Sequence, residues 1–206
     1  MEHRHFTDVV EYLRAGDLLV VNETRVIAAR LWASKVPTGG QVELLLLAKR
    51  GASDWEALVK GRRVRVGQCL AIAGDGGARV EGVVRAITPS GGRLIHFEPP
   101  IEQHLKELGA VPLPPYIHRP LQDPERYQTV YSRAEGSVAA PTAGLHFTPG
   151  LLRRIQDKGV QRVSVVLHIG LDTFRPVSEE TVEAHTIHTE YCRLTPEAAR
   201  RINAAK

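Results

Sequence analysis

The run Gly136–Phe147, G-S-V-A-A-P-T-A-G-L-H-F, carries the residue types from which a ligand site is built. Its small residues, Pro141, Ala143 and Gly144 among them, let a backbone approach a bound molecule closely. Ser137 and Thr142 add hydroxyls, and His146 adds a group that takes up or releases a proton near neutral pH.

A second polar cluster follows in L-H-I-G-L-D-T-F (Leu167–Phe174) and H-T-I-H-T-E (His185–Glu190). His146, His168, His185, His188 and Glu190 therefore fall within 45 positions and include four of the nine histidines of the chain. They are the candidate acid/base groups, with Gly170 and Thr173 as candidate ligand-binding positions beside them. A structural, hydrogen-bonding histidine is the competing reading for each one taken singly. The H-x-x-H spacing of His185 and His188, with Glu190, also permits a metal-dependent hydrolase. Against it, the segment turns β-like, and in a strand positions 185 and 188 face opposite ways, so no metal is expected.

Other candidates are dispersed. Arg25, in V-N-E-T-R-V-I-A-A-R, could clamp a carboxylate or phosphate, or pair with Glu23 at the surface together with Arg30. Tyr127 and Tyr131, four apart in E-R-Y-Q-T-V-Y, could stack a base or pack at helical spacing. Lys60, Arg62, Arg63 and Arg65 in K-G-R-R-V-R could lie along RNA phosphates or form a charged turn.

The elements that must position these groups divide the 206 residues in two. From Ala33 to Glu98 there are ten Lys/Arg against six Asp/Glu, whereas the remainder holds 17 of each, so the whole net charge of +4 sits in that segment. A polyanion is drawn there first. Short apolar or alternating runs at 42–47, 55–59, 63–66, 69–73, 79–87 and 93–97, separated by glycine-rich turns, read as a small all-β barrel.

On either side helix and strand signals alternate. Thr7 is positioned to cap a helix over Val9, Val10 and Leu13 that Gly16 closes, and 17–22 reads as a buried strand. A helix is expected over 101–108, and another over 148–158 with Thr148 as cap, Pro149 in its first turn and Gly159 as stop. The β-branched run 162–167 then delivers His168 to a sheet rim, where ligands bind in open α/β sheets. A last helix starts at Thr195-Pro196 and is expected to run on through Lys206. The fold class is mixed α/β: a discontinuous α/β domain (1–32 and 99–206) with an inserted small all-β barrel domain (33–98).

The composition, 43% apolar with no apolar run of about 18 residues or more, argues against a membrane span. The N-terminal M-E-H-R-H-F-T-D has no apolar stretch behind its charges, and Cys69 and Cys192 define no disulfide framework or metal knuckle, so the expected location is cytoplasmic.

Six segments in order, D-L-L-V-V-N-E-T-R-V-I-A-A-R-L (17–31), P-L-P-P-Y-I-H-R-P (112–120), E-R-Y-Q-T-V-Y (125–131), the 136–147 run, L-H-I-G-L-D-T-F-R-P-V (167–177) and H-T-I-H-T-E (185–190), resemble the S-adenosylmethionine:tRNA ribosyltransferase-isomerase (QueA) family of queuosine biosynthesis. The resemblance implies a QueA-like fold, with the barrel segment the loosest match. Family members carry further sequence at both ends, including T-T-S-V-R and T-N-F-H-L-P motifs, so a truncated form is expected. Asp172 stands where the family usually has a small residue, and Ile187 where methionine is common.

That resemblance implies transfer and isomerisation of the ribosyl part of S-adenosylmethionine onto 7-aminomethyl-7-deazaguanine at the tRNA wobble position. Epoxyqueuosine-tRNA forms, with release of adenine and methionine. The partners are then that tRNA and S-adenosylmethionine, the latter a consumed cosubstrate, with no resident cofactor. An RNA-binding module without catalysis is the alternative that the basic β segment would support.

Overall fold

The computed structural model describes residues 2–89, 91–114, 116–117, 119, 121–170, 181, 183 and 189–205. The chain divides into two compact units, one of Met1–Val26 with Arg119–Lys206 and one of Ile27–His118.

The first unit opens with a 3-10 turn, Phe6–Asp8, that runs into a single α turn, α1 (Val9–Tyr12). Thr7 is not the cap: it lies inside the 3-10 turn, which Asp8 closes by accepting the His5 amide at 3.0 Å. The helix ends at Tyr12, well before Gly16. Strand β1 (Leu18–Asn22) follows, then β2 (Thr24–Val26). Strand β1 is less buried than its apolar run implies: Val20 is 45% exposed while Val21 is buried.

The second unit is built on β3 (Arg30–Val36), β4 (Gln41–Lys49), β5 (Asp54–Lys60), β6 (Cys69–Ala73), β7 (Arg79–Ile87) and β8 (Arg93–Glu98). Pairing runs β4-β5-β8-β7-β6-β3, and β3 also pairs with β4, so six antiparallel strands close on themselves. Closure leaves no open edge among the six. Alternation drives it: Val42, Leu44 and Leu46 of β4 and Val80 and Val84 of β7 point inward onto Leu31, Leu70, Ile95 and Phe97. Each of these large side chains contributes about 1.5–3 kcal/mol by leaving water.

The barrel differs from the expected one in a single strand. Residues 63–66 form no strand, Arg63 standing at φ +56°, and the sixth strand is β3, which straddles the expected domain boundary between residues 32 and 33. The unit also takes in, beyond residues 33–98, a 3-10 turn (Ile101–His104), α2 (Leu105–Leu108) and the short β9 (Gly109–Ala110), which pairs with β3. Ile101, Leu105 and Leu108 join the barrel core.

Returning to the first unit, a 3-10 turn (Pro124–Tyr127) precedes β10 (Ala134–Ser137), and a second one spans Thr142–His146. Helix α3 (Pro149–Asp157) is capped as expected, the Thr148 hydroxyl accepting from Leu151 N at 3.1 Å. Its buried Leu151 and Ile155 pack with Val160 against Val9, Val10, Leu13, Leu19 and Phe147. Strand β11 (Gln161–His168), β12 (Tyr191–Arg193) and α4 (Pro196–Ala204) complete the unit. The last helix stops at Ala204, with Ala205 as its C-cap.

Strand β11 is central to a three-stranded sheet, parallel to β1 and antiparallel to β12. A separate parallel pair joins β2 to β10. No described helix is long and apolar enough to cross a membrane.

Candidate active site

The parallel register of β1 and β11 puts Asn22 opposite Val165, so both strands end at the same rim. Asn22 fixes what happens there. Its Oδ1 accepts from Leu167 N (3.0 Å) and Thr24 N (3.1 Å), while its Nδ2 donates to Leu167 O (2.8 Å). One side chain thus ties the turn between β1 and β2 to the end of β11.

The consequence is a contact across 144 positions of sequence: Thr24 Oγ1 lies 2.7 Å from His168 Nδ1. Thr24 is itself 1% exposed, and its hydroxyl also has a long contact of 3.5 Å to Ala134 O. A hydroxyl both donates and accepts, so it can hold the Nδ1–H tautomer of the ring.

Gly136 supports the ring. A methyl group on its Cα would sit 2.5 Å from His168 Nε2 and 2.9 Å from both Cδ2 and Cε1. These distances place the methyl over the ring face; in the ring plane ahead of Nε2 it would be distinctly farther from both carbons. The glycine therefore supports the ring while leaving the in-plane direction of the Nε2 lone pair clear of this contact. Its φ of +142° also favours glycine. Tyr191 of β12 stacks on the imidazole with centroids 5.1 Å apart and planes inclined by 22°.

Desolvation, and secondarily the positive charge of Arg193, push the His168 pKa below the ordinary histidine value of 6.5. At pH 7 the ring is neutral and able to accept a proton.

The neighbouring candidates are held by backbone contacts. Ser137 is fully buried, its Oγ accepting from Ile169 N at 2.9 Å and donating to Ala139 O at 2.7 Å, beside a β-bridge between Ala139 and Ile169. Glu190 Oε1 accepts from Gly170 N at 2.7 Å, which brings this carboxylate to the residues just after His168. The fold thus gathers His168, Ser137, Gly170 and Glu190 around Thr24, Asn22, Gly136 and Tyr191.

His146 packs on an aromatic ring. It is exposed at the end of its 3-10 turn, with its ring centroid 5.1 Å from that of Phe6. Thr142 and Ala143 on the same turn are exposed, Pro141 is half-buried and Gly144 is buried. A side chain at 144 would collide with Tyr131, whose hydroxyl oxygen would lie 2.4 Å from its Cβ. Burial raises the Tyr131 pKa above its ordinary value, with the charge of Arg162 acting in the opposite sense.

Tyr127 is 5% exposed, so its ring faces protein, and the 3-10 turn ends at that residue; the helical spacing expected to align it with Tyr131 is not formed. Arg25 does not pair with Glu23. Its Nη1 donates to Ser132 Oγ at 3.0 Å and its Nη2 to Glu125, while Glu23 accepts from Arg133 and Arg30 pairs with Glu43. Lys60 ends β5, and Arg62, Arg63 and Arg65 are exposed on the following loop, where the buried Val64 anchors the backbone.

Thr173, His185 and His188, with Asp172 and Ile187, lie outside the described residues. Among the described residues no three His, Cys, Asp or Glu side chains are placed to hold a metal ion. Sequence reading missed Thr24, Asn22 and Tyr191. The only local signal was the N-E-T run directly after an apolar strand.

The whole chain, residues 1–206, matches the family model described as queuosine biosynthesis protein. It is 53% identical over 211 residues to the S-adenosylmethionine:tRNA ribosyltransferase-isomerase of Moorella thermoacetica and 54% identical over 209 residues to that of Desulfitobacterium hafniense. All of the chain is covered in both comparisons, yet it spans only 60% of the length of either relative. A crystal structure of the S-adenosylmethionine tRNA ribosyltransferase from Thermotoga maritima aligns with 99% of the chain and 52% of its own at 29% identity, with a TM-score of 0.35. With a match that runs its full length and relatives at this identity, the chain is a member of the queuosine biosynthesis protein family.

Proposed function

We propose that this chain takes part in transferring and isomerising the ribosyl moiety of S-adenosylmethionine onto 7-aminomethyl-7-deazaguanine in the tRNA anticodon, with His168 as the proton acceptor. Family membership and the names of the relatives support the reaction class. The observation that carries the role of His168 is the geometry of its imidazole, held at Nδ1 by Thr24 and supported on the Gly136 backbone, where burial lowers its pKa.

The chemistry asks for such a group. A sulfonium acidifies the adjacent ribose C5′ hydrogens, and the attacking amine must shed a proton, so a base with a pKa near the working pH is needed. With Nδ1–H donated to Thr24, Nε2 carries the lone pair that receives the proton. The resulting imidazolium can return a proton to the departing adenine, which leaves as a neutral base.

The test is adenine release from S-adenosylmethionine in the presence of tRNA bearing the aminomethyl base. His168→Gln is expected to slow release by about 10²–10⁴-fold, the range of a general base, with tRNA binding retained. Release that is unchanged in the variant rejects the assignment. The exposed cations Lys60, Arg62, Arg63 and Arg65 favour a second reading for a chain of this length, tRNA binding without turnover. Bound tRNA with no adenine from the wild-type chain would select it.

A further inference from the structure

We propose that a cleft between α3, β11 and α4, lined by Arg153, Arg162 and Arg201, is a second contact site for the phosphodiester backbone of RNA, in addition to the loop at Lys60–Arg65. The inference rests on the tRNA reading above and extends it to a surface of the other unit.

The cleft has a volume of about 670 Å³, and its described lining contains three arginines, Gln156 and Gln161 but no aspartate or glutamate. Among the described residues no carboxylate lies within 4 Å of any of the three guanidinium groups, whereas Arg25, Arg30, Arg50 and Arg133 all have acidic partners within that distance. Three cations that gather without local neutralisation repel one another, and a polyanion entering the cleft relieves that repulsion.

Positioning is partly built in. Arg201 Nη2 donates to Arg162 O (3.0 Å) and to Gln161 Oε1 (3.3 Å), which fixes its guanidinium against β11. Arg153 projects from α3, whose buried Leu151 and Ile155 anchor the helix, and Arg162 projects from β11. The guanidinium fork suits phosphate oxygens better than an ammonium does. Leu152 and Val130 in the same lining offer apolar surface for sugar or base.

The test measures the affinity of the 206-residue chain for tRNA as a function of salt, for the wild type, for Arg153→Gln/Arg162→Gln, and for Arg79→Gln/Arg85→Gln as a charge-matched control on β7. Arg201 is left intact because it bonds to backbone. The cleft variant is expected to lose about 2 from the slope of log affinity against log salt, about 1 per phosphate contact removed. A roughly fourfold rise in salt then weakens the wild type about 16-fold more than the variant. The control is expected to change the slope less, and circular dichroism checks that both variants are folded.

Wild-type binding that survives the cleft substitutions with the same slope overturns this inference alone. An equal loss in the control overturns it as well, because general charge would then suffice. Competition by submillimolar inorganic phosphate at constant ionic strength would mark a site for a small anion and also overturn it. A wild-type chain that binds no tRNA rejects both this inference and the functional reading beneath it.

Discussion

The imidazole of His168 lies on the Cα of Gly136, so close that a single added methyl group would come within 2.5 Å of Nε2. Gly136 also has a backbone φ of +142°, outside the range side-chain-bearing residues favour. Gly136→Ala is therefore expected to cost about 1–3 kcal/mol of stability through backbone strain, beyond any displacement of the ring. Urea unfolding followed by far-ultraviolet circular dichroism measures the stability, and the His168 ring resonances report the displacement. An unshifted ring in a fully stable variant would contradict the geometry.

Thr24→Val keeps the shape of the side chain and removes the partner of Nδ1. Loss of a hydrogen bond of this kind is expected to cost about 0.5–1.5 kcal/mol. The tautomer preference goes with it, so the Nδ1–H form that donates to Thr24 should become less populated, as nitrogen chemical shifts of the ring would show. Adenine release should fall with it, whereas Thr24→Ser should restore both.

The lowered pKa of His168 has a defined sign in the pH dependence of folding. In the unfolded chain the ring titrates near its ordinary value of 6.5, and in the fold it titrates below that. Between the two values the unfolded state binds more protons, so stability rises with pH there. The contribution is complete above about 6.5 and is lost as pH falls through the folded value. Comparing the wild type with His168→Gln between neutral and mildly acidic pH isolates it, and the variant should lose stability less steeply on acidification.

Phe97 is completely buried in the barrel, and Phe97→Ala is expected to destabilise that unit by about 3–5 kcal/mol through lost burial and a cavity. Both tryptophans, Trp32 and Trp55, lie in the same unit, so their fluorescence reports its unfolding. The midpoint of that transition should drop. The His168 resonances, which belong to the other unit, separate a local from a shared loss.

Much of this architecture was legible in the amino-acid order because its causes are local. Alternating apolar residues marked five of the six barrel strands, and Thr148, Pro149 and Gly159 bounded α3 through capping and backbone preference. The β-branched run before His168 marked β11 and placed that histidine at its end. The sixth strand was misplaced: R-V-R-V at 63–66 alternates but forms no strand, and β3 lies across the expected domain boundary. Periodicity describes how a segment would bury one face, not which segment closes the barrel.

The site itself was decided in three dimensions. Sequence singled out His168, Ser137, Gly170 and Glu190 by type and clustering, but the same clustering also proposed His146, which the fold places against Phe6. Nothing local could announce that Thr24 holds an imidazole 144 positions away, or that Asn22 ties those two segments together. Such partners are selected by the parallel register of β1 on β11 and by a glycine that lets the ring approach, and strand pairing of that range is a property of the whole packed unit.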